Sequence, residues 1–118
     1  PSLPGSIILE HSNYTYRGSQ LMSKAVPTVH IDNEHVRVTE WAFAPGAATG
    51  WHRHDFDYIV TPLIGQKIET EDADGKRTPF EMVTGVPYFR EAGVEHDVIN
   101  SSEGELRFVE VELKHRPG

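Results

Sequence analysis

The sequence predicts an all-β domain, a sandwich or a barrel, and three observations carry that reading. Apolar residues are nowhere sustained at i, i+3, i+4 and i+7 over about ten residues, so no amphipathic helix is written into the chain. Short runs of β-branched and aromatic residues recur instead between Gly, Pro, Asn and Asp, about nine of them from Val26 onward, a pitch suited to sandwiches and barrels. The chain has 118 residues, 37% of them apolar, with 10 Gly and 8 Pro, which is enough for one loop-rich domain and too short for a second.

Residues 1–24 are polar and irregular and are expected to form an arm on the outside of the domain, with a short strand at 6–10 and Tyr14 and Tyr16 on one face. Residues 25–118 then make one barrel domain. Its expected strands are 28–31, 35–43, 51–54, 58–64, 66–71, 76–82, 86–90, 96–99 and 105–114. Asp74-Gly75 reads as a two-residue turn, since both residues tolerate positive φ, and should join the strands on either side as a hairpin. In the last strand the apolar positions are 106 and 108, then 109, 111 and 113. A β-bulge near Phe108–Val109 would let both sets face the core.

Composition removes several functions. Eighteen acidic against eleven basic residues give a net charge of −7, which opposes nucleic acid and anionic membrane surfaces alike. No window approaches the roughly 20 apolar residues that span a bilayer, and no basic stretch followed by an apolar run opens the chain. Without cysteine there is no disulfide, thiolate ligand or thiol nucleophile, and a cytoplasmic location is the expectation.

Seven histidines are the unusual feature. His52 and His54 stand two apart on an expected strand, so both imidazoles project from one face while Arg53 projects from the other. His96 opens another strand that a closed sheet can bring opposite. Three neutral imidazoles converging on one point suit a borderline divalent ion. His11, His30, His35 and His115 lie outside this pattern and are expected at the surface. Asp55, Asp57 and Asp97 have the opposite strand parity and are expected to face solvent, whereas Trp41, Phe43, Trp51 and Phe89 are expected in the core or the pocket wall. Tyr58 shares the parity of the histidines, so its hydroxyl can serve as a hydrogen-bond donor or acid/base group in the pocket. Arg90 is a candidate clamp for a substrate carboxylate.

Gly46, His52, His54, Tyr58 and Gly65, followed by Gly85, Glu91, Gly93, His96 and Asn100, resemble the two signature motifs of the cupin superfamily, and together they span about half the chain. The wording around them, Ala44-Pro45-Gly46-Ala47-Ala48-Thr49-Gly50-Trp51-His52 and Gly93-Val94-Glu95-His96-Asp97-Val98-Ile99-Asn100, is similar to short bacterial single-cupin proteins, some of them beta-alanine degradation proteins of the BauB type. The resemblance implies a double-stranded β-helix, or jelly roll, with a metal at its centre. Two departures stand out: Tyr58 replaces the Glu that usually completes the metal ligands, and Glu91 replaces a Pro.

The resemblance therefore implies one divalent transition metal per chain, Fe, Mn, Ni or Zn, on His52, His54 and His96, with open positions for a small anionic or chelating ligand. The expected function is a small metalloenzyme, dioxygenase-like or a lyase or isomerase, acting on a carboxylic or amino acid. The alternative is a non-catalytic cupin that binds or senses a small ligand, and a homodimer is expected in either case.

Overall fold

The computed structural model describes residues 14–17 and 20–114. Its eleven strands are β1 (Tyr14–Arg17), β2 (Gln20–Ser23), β3 (Val26–Asp32), β4 (Val36–Phe43), β5 (His52–Arg53), β6 (Asp57–Ile64), β7 (Lys67–Glu71), β8 (Arg77–Glu81), β9 (Tyr88–Arg90), β10 (Glu95–Ile99) and β11 (Leu106–Leu113). The expected strand at 6–10 lies outside the described residues. The described part of the arm is not irregular, because β1 and β2 pair antiparallel as a hairpin of their own.

The remaining strands form two antiparallel sheets, β5-β10-β7-β8 and β3-β4-β11-β6-β9, and the alternation of side chains along them explains the interior. Inward positions of β11 run Leu106, Phe108, Glu110, Glu112, and those paired across on β4 run Phe43, Trp41, Thr39, Arg37. One end is therefore an apolar plug and the other a polar lumen. Phe43, Leu106, Phe108, Val60, Ile68, Met82 and Val98 pack the plug, with the Phe43 and Phe108 rings 5.5 Å apart. Asn100 is fully buried beneath it, and its amide donates to the Phe43, Ala44 and Gly104 carbonyls, so one side chain ties the β4–β5 and β10–β11 connections together.

Two expectations about strands need correction. The β7–β8 hairpin forms, but its turn is centred on Ala73–Asp74: Gly75 N–H donates to the Asp72 carbonyl at 3.0 Å, and Gly75 follows at φ +82°, where only a residue without Cβ sits freely. The bulge lies elsewhere as well. β11 pairs with β4 without interruption, and the register shift falls on its other side, where Arg107 faces Ile64 but Phe108 faces Pro62, leaving Leu63 of β6 as the extra residue. Strict alternation in β11 therefore turns Val109, Val111 and Leu113 outward and Glu110 and Glu112 inward. Trp51 and Phe89, expected in the core or wall, are half exposed, at 50% and 51%.

Candidate metal centre

β5 and β10 bring the histidines together. His52 pairs directly with His96 across the two strands, and the ladder continues past β5, with His54 N–H donating to Val94 O and Gly93 N–H to His54 O. Cross-strand partners share a face, so His52, His54 and His96 point into the lumen, while Arg53 points outward and meets Glu95 at 3.2 Å. The three rings stand 4.7 to 5.3 Å apart at steep mutual angles of 67° to 83°. Their ligand nitrogens lie within 4.8 Å of one another.

The loop before β5 orients the first ring. His52 Nδ1 lies 3.0 Å from the Gly50 carbonyl, which can only accept, so the proton resides on Nδ1 and the Nε2 lone pair faces the lumen. Asp97 holds this loop: its carboxylate accepts from Gly50 N–H at 3.1 Å and from Thr49 Oγ1 at 3.5 Å. Thr49 Oγ1 in turn accepts from Val98 N–H. Asp97 is thus buried rather than facing solvent, because its parity places it under the loop. Asp57 is half-buried and accepts from Ala92 N–H at 2.9 Å, and Asp55 is exposed as expected.

Two observations show that this cluster fits a cation. His96 Nε2 is buried with no hydrogen-bond partner among the described residues, and His52 Nε2 and His54 Nε2 face each other at 3.1 Å, the separation of adjacent donors on one ion. Burial, followed by the neighbouring imidazoles, pushes His96 down to about 3, and burial together with His52 pushes His54 down to about 4. Burial lowers His52 in the same direction. All three imidazoles are therefore neutral near pH 7 and have lone pairs to offer a metal.

Tyr58 is buried and stacks flat on His54, with ring centroids 3.9 Å apart and 17° between planes. Burial and the nearby Glu110 push its phenol up to about 12, so at neutral pH the hydroxyl is a donor and not an anion. Arg90 pairs across from Tyr58, hence on the same face of the sheet, and its guanidinium lies over the Tyr88 ring at 4.5 Å and the Phe80 ring at 5.4 Å. Its hydrogen bond goes to the Phe89 carbonyl. His30 and His35 are exposed, His30 against Glu40, while His11 and His115 lie outside the described residues.

Sequence reasoning missed the carboxylates. Glu112 accepts from Arg37 at 3.1 Å, and Glu110 Oε2 lies 3.8 Å from His54 Nε2, beyond hydrogen-bond reach. Burial and then Glu112 raise the Glu110 carboxyl to about 7, so the contact joins a neutral imidazole to a half-protonated acid and is no ion pair. The signal was present in the plain alternation from Leu106 through Glu112. The lumen is a cavity of about 410 Å³, with the histidines, Tyr58 and the two Glu among its lining.

A barrel of two facing antiparallel sheets with three histidines at its centre defines a cupin. The solved cupin domain from Bordetella pertussis Tohama I matches 78% of this chain and 95% of its own length, at 50% identity and a TM-score of 0.74. A double-stranded β-helix protein from Klebsiella pneumoniae, at 19% identity and a TM-score of 0.63, covers 97% of this chain and shares the fold. No family model matches. The beta-alanine degradation protein BauB of Pseudomonas aeruginosa is 55% identical over 91 residues, 77% of this chain and 95% of that protein. The chain belongs to the cupins, among their BauB-like members.

Proposed function

We propose that the chain is a metal-dependent cupin enzyme, of the dioxygenase or the lyase and isomerase type, acting on a small carboxylic or amino acid. The observation that carries the reading is the buried His96 Nε2, without a hydrogen-bond partner among the described residues, converging with His52 and His54. A divalent Fe, Mn, Ni or Zn ion held by these three residues would supply Lewis-acid polarisation, or redox chemistry in the case of iron. The chain does the rest. The Gly50 carbonyl fixes the His52 tautomer, and the stacked Tyr58 ring holds His54 while its phenol offers a proton-bearing hydroxyl to a ligand in the lumen. Arg90, on the Tyr58 face with its guanidinium set on two rings, is the group for a substrate carboxylate. The degradation-pathway name of the BauB relative supports a small catabolite as ligand. We further expect a homodimer: every residue of β3, an edge strand, is exposed, Val26, Val29 and Ile31 among them, and light scattering reads the mass.

Elemental analysis of untagged protein tests the centre. About one transition metal per chain is expected, falling by orders of magnitude in His52→Ala, His54→Ala or His96→Ala and unchanged in His30→Ala or His35→Ala. If wild-type protein neither contains nor takes up Fe, Mn, Ni or Zn at neutral pH, the reading fails.

A further inference from the structure

We infer that Glu110 is the carboxylate ligand of this metal centre, supplied by β11 in place of the acid that Tyr58 displaces from the first histidine motif. The inference rests on the three-histidine reading and adds a fourth donor of different chemistry. Glu110 is 8% exposed, so its carboxylate is held largely out of bulk solvent on the wall of the lumen. Among the described residues, its carboxyl receives a single hydrogen bond, from Trp41 Nε1–H at a long 3.4 Å. Glu112, two residues on, is already engaged by the Arg37 guanidinium at 3.1 Å. Among the described residues no guanidinium hydrogen-bonds Glu110, and its oxygen Oε2 is turned toward His54 Nε2 at 3.8 Å.

That spacing is the relevant one. Donor atoms bound to one ion at about 2.1 Å lie about 3 to 4 Å from each other. His54 Nε2 is 3.1 Å from His52 Nε2 on one side and 3.8 Å from Glu110 Oε2 on the other, and Glu110 groups within 4.8 Å with His54 and Glu112 and not with His52 and His96, so a rotation of its side chain has to carry Oε2 onto an ion held by the three imidazoles. Tyr58 is engaged differently, because its ring lies flat against the His54 face with the centroids 3.9 Å apart. An anionic oxygen beside three imidazoles offsets part of the ion's charge and shifts preference toward harder ions such as Mn²⁺ and Fe²⁺ over softer ones.

Metal-stripped wild type, Glu110→Gln, Glu112→Gln and His96→Ala are titrated with Mn²⁺ by calorimetry and with Co²⁺ by visible absorption, after thermal melts confirm that each is folded. Glu110→Gln is expected to weaken Mn²⁺ binding about tenfold or more and to shift the Co²⁺ band, with Glu112→Gln close to wild type. Unchanged Mn²⁺ affinity and an unchanged Co²⁺ spectrum in Glu110→Gln, with binding lost in His96→Ala, overturn the inference and leave the histidine centre standing. A loss confined to Glu112→Gln also overturns it. No uptake of either ion by wild type overturns the inference, and the histidine reading then stands or falls on uptake of Fe, Ni or Zn.

Discussion

The two roles proposed for Tyr58, support of His54 and proton donor, can be separated by one substitution. Its ring stacks on the face of His54, and the residue lines the lumen. In Tyr58→Phe the stack survives, so metal content is expected to stay within about twofold of wild type while turnover of the substrate falls about 100-fold, the usual scale for a lost proton donor. Metal content by elemental analysis and turnover on the same preparation check the pair, and full turnover in the variant would leave Tyr58 as wall alone. Residue by residue, the histidines were legible in the sequence because period-2 spacing and the motif glycines fix both face and position. Glu110 and Glu112 were not. An acid at an inward position looks like an error of phase, and assuming a bulge in β11 removed it, although the structure accepts the burial because Arg37 and the histidine cluster face those positions.

Between elements, the nine strands from Val26 onward were legible from composition and punctuation, but which strand absorbs an irregularity was not. Leu63 is the extra residue of β6, beyond the stretch Tyr58–Val60 that pairs with β9, and the adjacent Pro62, which has no N–H to give to the ladder, is the local mark of it. Gly65, just beyond, shows what a motif glycine does here: a Cβ at this position would sit 2.1 Å from Met82 O, so Gly65→Ala should cost about 3 kcal/mol or more, read by chemical denaturation. The β4–β5 loop makes a different kind of prediction. Thr49 Oγ1 accepts from Val98 N–H and touches His52 Nδ1 at 3.2 Å, so it joins β10 to the ring it steadies. Thr49→Val keeps the shape, removes these bonds and should lower metal affinity about tenfold with the three histidines intact. Equal affinity in a titration of the two proteins would show that the Gly50 carbonyl suffices to fix the ring.

For the whole molecule, the cluster that prepares the centre also sets how stability responds to pH. His54 and His96 are held near 4 and 3 in the folded chain by burial, against 6.5 when unfolded, so as pH falls below 6.5 the unfolded chain gains protons that the folded chain refuses. Stability from this source is present above 6.5 and lost on acidification, and His52 adds to it in the same sense. Glu110 works the other way. Its carboxyl, raised by burial to about 7 from 4.5, keeps a proton in the folded chain that the unfolded chain has shed, a contribution complete below 4.5 and lost as pH rises through 7. Between pH 4.5 and 6.5 at least two histidine protons on the unfolded side oppose one on the folded side, so the metal-free protein should weaken on acidification with a slope of about one proton or more. Denaturant midpoints across that range check it: the slope should become shallower in His96→Ala and steeper in Glu110→Gln. Saturating metal binds only the folded chain with its imidazoles neutral, so the gain in midpoint it gives should collapse as pH approaches 4, where the folded His54 takes up a proton. A metal-free curve that is flat, and unmoved by either substitution, would mean that the histidines are not held neutral by burial and that the lumen is wetter than its geometry implies.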